Sequence, residues 1–258
     1  MPVTRTARRA WTWGGGLAAA ALLAWSGATA VSYVAYEEET VITDVAQDRV
    51  SSVDVRGHGR VEVVGGLTTG PITVTARLRQ GLRGPAHDVR VEGGLLVVRG
   101  DCPEVLGGRC SASVRLEVPA GVDVTAHSDH GTVWVNGLDG IVFATADHGD
   151  VVATDLSGDV LLRSDHGDVT AVGLSGRGVQ AASDHGDVAL GLTRPARLVD
   201  AKSDHGDVEV VVPVGPGAYR VDAQSDHGTA RADVRVDPAS PRAVRAHSDH
   251  GDVLVRYP

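Results

Sequence analysis

From about residue 120 onward, apolar and polar positions alternate with a period of two, and one tripeptide interrupts the alternation at regular intervals. Asp-His-Gly begins at Asp129, Asp147, Asp165, Asp184, Asp204, Asp226 and Asp249, in steps of 18, 18, 19, 20, 22 and 23 residues. Five residues before each Asp stands Val: Val124, Val142, Val160, Val179, Val199, Val221 and Val244. Three before it is Ala, except for Leu162; one before it is Ser, except for Ala146. Four after it comes Val133, Val151, Val169, Val188, Val208, Ala230 or Val253. The positions between are mostly polar. Such alternation on both sides of a Gly-containing turn predicts two strands meeting at a corner, each with one face buried.

A unit of 18 to 23 residues cannot bury its apolar side alone, but stacked copies make a continuous core. The expected fold is therefore all-β, a single-chain β-solenoid of stacked 18–23-residue coils, with equivalent residues in columns about 4.8 Å apart. A second punctuation, Leu138-Asp139-Gly140, Leu156-Ser157-Gly158 and Leu174-Ser175-Gly176, marks the opposite turn. In later copies that turn lengthens and gains Pro195, Pro213, Pro216, Pro238 and Pro241, so insertions collect on one edge.

Upstream, Val53, Val55, Gly57, His58, Gly59, Val61 and Val63 form a degenerate copy of the corner, and residues 72–78, 89–91, 95–98 and 114–118 are strand-like. Residues 49–126 are expected to begin the sheet system and cap its N-terminal end, ahead of the repeat region 127–258. Residues 37–48 read as a polar connector in which 41–45 has an edge-strand pattern.

The N-terminus sets the compartment. Arg5, Arg8 and Arg9 precede an uncharged stretch, residues 10–36, long enough to span a bilayer. With Glu37, Glu38 and Glu39 on its far side, the positive-inside rule makes residues 1–10 a cytoplasmic tail and 11–36 a single-pass transmembrane helix. Ala28-Thr29-Ala30 also fits a signal-peptide cleavage site after residue 30, which would give a secreted protein. Both readings place the rest outside the cytoplasm. Cys102 and Cys110, around a loop with Pro103, Gly107 and Gly108, are then expected to form a disulfide.

Composition narrows the partners. Aromatic residues are only 3% of the chain, with one Phe and one Met, so the core must be built from small and β-branched side chains. The net charge is −9, and without the three N-terminal arginines it is −12, from 21 basic and 33 acidic groups. An acidic exterior repels phosphate backbones, which excludes nucleic acid as a partner.

A basic N-terminus, one apolar span, an acidic connector and Gly-Asp-Val repeats such as Gly149-Asp150-Val151 and Gly158-Asp159-Val160 resemble the bacterial putative-adhesin family of β-strand-repeat domains. The resemblance covers residues 37–258 and includes Val118-Pro119-Ala120-Gly121-Val122. It implies a surface-exposed β-repeat domain of a kind common in actinobacteria, with no established catalysis and no catalytic residues to transfer.

The Asp-His-Gly ladder has two readings. In the first it is turn chemistry: Asp accepts backbone hydrogen bonds, His tolerates the bend, and Gly131, Gly149, Gly167, Gly186, Gly206, Gly228 and Gly251 supply a positive φ. In the second, His130, His148, His166, His185, His205, His227 and His250 stack outward as a divalent-metal or proton site. Asp150, Asp168, Asp187, Asp207 and Asp252 would then add carboxylates. No cofactor is otherwise expected. The Gly-Gly-x-Gly-x-Asp pattern of a calcium roll does not occur. Ser-Asp-His occurs six times, but the alternation turns Ser inward, and a catalytic triad needs groups converging from separate segments.

The expected product is a non-enzymatic, adhesin-like binding or structural module at the cell envelope, with an envelope polymer or protein as partner. The alternative is an accessory to an envelope stress, pH or metal sensor that acts through a membrane partner. The chain stops at Tyr257-Pro258 directly after a strand-like run, so its C-terminal coil is expected to be an open edge that mediates self-association.

Overall fold

The computed structural model describes residues 37–80, 86–102 and 110–258. The expected cytoplasmic tail and the anchor or signal peptide lie outside the described residues. Among the described residues no helix is long and apolar enough to cross a membrane.

The chain opens with β1 (Glu37–Val45), a short 3-10 turn at Gln47–Arg49, β2 (Ser52–Gly57) and β3 (Val61–Val64). Next come β4 (Ile72–Gln80), β5 (Ala86–Glu92), β6 (Leu95–Asp101) and β7 (Ser111–Glu117). The repeat then supplies strand pairs, each pair joined at an Asp-His-Gly corner. They are β8 (Asp123–His130) and β9 (Val133–Asn136), β10 (Val142–His148) and β11 (Val151–Thr154), β12 (Val160–His166) and β13 (Val169–Leu174). After these follow β14 (Gly178–His185) and β15 (Val188–Leu192), then β16 (Leu198–His205) and β17 (Val208–Val211). The last are β18 (Arg220–Ser225) and β19 (Ala230–Asp233), then β20 (Ala243–His250) and β21 (Val253–Arg256).

Strands entering the corners form a 10-stranded sheet in the order β18-β20-β16-β14-β12-β10-β8-β2-β6-β5. Strands leaving them form an 11-stranded sheet in the order β1-β4-β7-β3-β9-β11-β13-β15-β17-β21-β19. Pairing is parallel in the repeat and in register apart from one shift between Ala171 and Leu174 of β13, so Val142 faces Val124 on one side and Val160 on the other. The protein is thus an all-β stack of parallel coils.

The core lies between the sheets and has the expected composition. In the coil of β10 and β11, Val142, Ala144, Ala146, Val151 and Ala153 are at most 1% exposed. The turn leucines Leu138, Leu156 and Leu174 close the far side of the core and are equally buried. Each fully buried Val or Leu contributes about 1.5–3 kcal/mol. Trp134 and Phe143 point outward and are 42% and 45% exposed, as a narrow core requires.

Two expectations about organisation need correction. Residues 37–48 are more than a connector, because β1 pairs antiparallel with β4 along its whole length. Within residues 49–126, β2/β3 and β6/β7 are coils that pair in parallel with the stack. Capping falls to β1, β4 and β5, whose pairings are antiparallel.

The second correction concerns the C-terminus. The last coil in sequence is not the last in space: β20 lies between β16 and β18, and β21 between β17 and β19. The longer connection at residues 212–219 carries the chain one layer beyond its neighbour, and the return through 234–242 fills the gap. Buried Tyr219 pins both loops, since its hydroxyl donates to the Pro213 carbonyl at 3.0 Å and its amide to that of Arg235 at 2.9 Å. The open edge therefore belongs to β18 and β19, and all four β19 residues are exposed.

Candidate functional site

The corner Gly is fixed by the coil beneath it. A Cβ added to Gly167 would sit 2.4 Å from the Gly149 carbonyl oxygen, and Gly186, Gly206 and Gly251 meet equivalent oxygens at 2.1–2.3 Å. Close approach of backbones is what demands Gly at the corner. The expected positive φ is found there only at Gly149, at 154°.

The Ser column is buried. Ser164, Ser183, Ser203 and Ser248 each donate at 2.8 Å to the corner Gly carbonyl of the neighbouring coil. Ala146 cannot, so Gly131 lacks this partner. These hydroxyls face inward and the imidazoles outward, so the Ser-Asp-His copies do not assemble into triads. Three residues past five of the seven corner aspartates, a further carboxylate caps the next coil: Asp168, Asp187, Asp207 and Asp252 donate their amides to Asp150, Asp168, Asp187 and Asp207 at 2.7–3.0 Å. At the end of that series Thr229 donates its amide and hydroxyl to Asp252, which holds this carboxyl below the ordinary 3.8.

Eight histidines stack along the edge in the order His58, His130, His148, His166, His185, His205, His250, His227. From His130 to His250 the centroids are 4.9–5.0 Å apart and the planes lie within 6°. In His166, His185, His205 and His227, Nδ1 lies 3.2–3.3 Å from an Asp backbone carbonyl of the adjacent coil. A carbonyl only accepts, so Nδ1 donates and the neutral ring keeps Nε2 unprotonated.

Sharing one ion between neighbouring ladder rings makes a further geometric demand. Bonds of about 2.1 Å require two nitrogens to converge within about 4.2 Å, whereas lone pairs of parallel rings run side by side. His58 breaks the pattern. Its corner is one residue shorter, with Gly57 opposite Ser128 but Val61 opposite Val133. The ring tilts by 47°, and its Nδ1 lies 3.1 Å from Asp129 Oδ2. One coil further, Cys102 and Cys110 are disulfide-bonded with Cα atoms 5.8 Å apart, closing the β6/β7 corner where the ladder ends.

Beside the ladder runs a column of corner aspartates, and the residue two before each Asp decides how it is neutralised. Arg163 bridges Asp165 at 3.2 Å and Asp184 of the next coil at 2.9 Å. Lys202 donates to Asp204 at 2.7 Å, which holds that carboxyl below the ordinary 3.8, and it also feels Asp249 of the next coil. His127 takes the same slot against Asp129, at 2.9 Å, and Asp147, at 3.9 Å. His247 does so at 2.8 Å from Asp249, with Asp226 of the terminal coil alongside. Burial pushes the Asp129 carboxyl up, but hydrogen bonds from His58 and His127 outweigh it and hold the group below 3.8.

Counted along the stack, the pairs Asp129/Asp147, Asp165/Asp184, Asp204/Asp249 and Asp249/Asp226 each receive one cationic or imidazole side chain, while Thr145 and Ala182 leave the steps Asp147/Asp165 and Asp184/Asp204 unbridged. Sequence reading missed His127 and His247. Their signal was the column His127, Arg163, Lys202, His247, visible only once the repeats are aligned and their spatial order is known.

Comparison with known proteins places this edge in a family. The fold is similar to the crystal structure of a putative cell adhesion protein from Clostridium sporogenes ATCC 15579, at 9% identity over 86% of this chain and 100% of that one, with a TM-score of 0.35. It is also similar to a putative adhesin from Bacteroides fragilis NCTC 9343, at 15% identity over 85% and 97% of the two chains and a TM-score of 0.40. A comparison with curated proteins returns no match. The Toastrack DUF4097 profile matches residues 123–256, from the first strand of the repeat to the end of β21. That span is just over half of the chain, and the protein belongs to the Toastrack DUF4097 family.

Proposed function

We propose that the protein is a membrane-anchored, extracytoplasmic and non-catalytic β-repeat module that binds or organises material at the cell envelope, in the manner of an adhesin. The observation that carries this reading is the exposed edge itself, where imidazoles recur at 4.9–5.0 Å over successive coils beside a column of carboxylates. A row of identical groups engages a repetitive polymer multivalently, so weak single contacts add up to avid binding. The disulfide supports an oxidising compartment, and the apolar run of residues 10–36 after three arginines supports the anchor.

The test is cosedimentation of the full chain with isolated cell-envelope polymer. Replacing Asp147, His148, Asp165, His166, Asp184 and His185 by Asn should weaken binding at least tenfold, and unchanged binding by a folded variant contradicts the reading.

The ring stack favours a second reading, an accessory to an envelope sensor of acid. Protonation would place like charges on rings 4.9–5.0 Å apart, flanked by the corner carboxylates from Asp129 to Asp249 and by Asp150, Asp168, Asp187, Asp207 and Asp252. Affinity capture from cross-linked cells separates the readings: a membrane kinase or regulator supports the sensor, wall polymer the adhesin.

A further inference from the structure

The corner aspartates stack in a column, and in the middle of that column their charge is matched by a fixed cation, Arg163 or Lys202. Toward its two ends, in the coils of His127 and His247, the same slot holds a histidine, and the terminal coil carries Gln224 there. A neutral imidazole supplies no charge, so there two stacked carboxylates face one nitrogen base. One imidazole and two carboxylates form a donor set suited to zinc, nickel or copper.

We propose that His127, Asp129 and Asp147 bind a divalent transition-metal ion, and that His247, Asp249 and Asp226 bind a second one at the other end of the column. In each cluster the candidate ligand atoms all lie within 4.8 Å of one another. Tetrahedral bonds of about 2.0–2.2 Å set ligand atoms about 3.3–3.6 Å apart, so the widest pair must close by about 1 Å. The Asp129 and Asp147 side chains are 46% and 47% exposed and have room to turn by that much.

The first site is already held from outside. His58 Nδ1 engages Asp129 Oδ2 at 3.1 Å, so an ion would enter between Asp129 Oδ1 and His127 Nε2 in place of their 2.9 Å contact, while Thr145 Oγ1 lies 2.9 Å from His127 Nδ1 and fixes the ring. Such outer partners orient the ligands of metal sites. Each ion would link two coils. The second would tie the open terminal coil of β18 and β19 to the intercalated coil of β20 and β21. The ladder imidazoles take no part, because their lone pairs run parallel.

The test uses the untagged full chain, purified in detergent and stripped with EDTA. Calorimetric titration with Zn²⁺ or Ni²⁺ should give two ions per chain and a saturable rise in melting temperature. His127→Arg and His247→Arg should each remove one ion while keeping the fold, because Arg fills the slot as Arg163 does, and the double variant should bind none. Replacing His148, His166 and His185 by Asn should leave both ions bound. Absence of binding, retention of two ions by the double arginine variant, or loss of binding on changing the ladder would each overturn the proposal.

Discussion

The two edges of the solenoid obey different rules. At the Asp-His-Gly edge Gly, Ser and His touch the neighbouring coil, and from His130 to His250 the rings keep one spacing of 4.9–5.0 Å. At the opposite edge the early turns are equally tight, with an added Cβ at Gly158 or Gly176 meeting a carbonyl at about 2 Å, but the later ones open out. Nothing lies within 4 Å of a Cβ built on Gly215, and Val214 is 74% exposed. The contrast shows how one fold reconciles order with variation. The fixed edge sets the register and displays groups in rows, and the free edge supplies the slack that lets the chain skip a layer and return.

The sharpest way to break the contrast is to add one methyl group to each edge. Gly167→Ala forces a Cβ to 2.4 Å from a backbone oxygen that cannot move without unstacking a coil, and should cost about 3 kcal/mol or more in denaturant melts. Gly215→Ala should change stability by less than about 0.5 kcal/mol. Next in size is the serine column. Ser183→Ala leaves the buried Gly167 carbonyl without its partner, at a cost of about 1–3 kcal/mol, while Ala146→Ser adds the missing bond to Gly131 and should gain about 1 kcal/mol.

Acid should act on the fixed edge through its carboxylates. Asp129, Asp204 and Asp252 are all held below the ordinary 3.8 in the folded protein. Arg99 does the same to Asp54 through a two-pronged hydrogen bond at 3.0 and 2.7 Å. The unfolded chain binds protons more readily at these sites. Their contribution is therefore complete above about pH 4 and is lost as the pH falls further. Denaturant midpoints at pH 7 and pH 3 should show the loss, and Lys202→Ala with Arg99→Ala should make it smaller. A small effect is also expected from the ladder: His166→Asn removes an exposed ring and one hydrogen bond, worth under about 1 kcal/mol in the same melts.

Much of this was legible in the sequence because a repeat states its own register. The Val, Ala and Ser columns named the inward face, the Gly corner named the turn, and the paired cysteines named a loop that the structure closes. What stayed hidden depends on which coils are neighbours. Asp204 meets Asp249 rather than Asp226 only because β20 slips between β16 and β18, and turn length alone does not say which layer a strand will join. The roles of His127 and His247 were hidden for the same reason, since each acts on its own Asp and on that of a spatial neighbour. Gly was assigned to the corner for its backbone freedom, whereas its lack of a side chain is what the stack uses.

The account stands on the order of coils along the fixed edge, and paired cysteines read that order directly. Both native cysteines are joined in one disulfide, so none competes. Neighbouring in-register strands place Cα atoms about 4.8 Å apart, within the span of a disulfide, and a separation of two layers lies beyond it. Under mild oxidation of the full chain, His205→Cys with His250→Cys should cross-link, and His205→Cys with His227→Cys should not. Efficient cross-linking of the second pair and none of the first would place the C-terminal coil outside the stack and contradict the account.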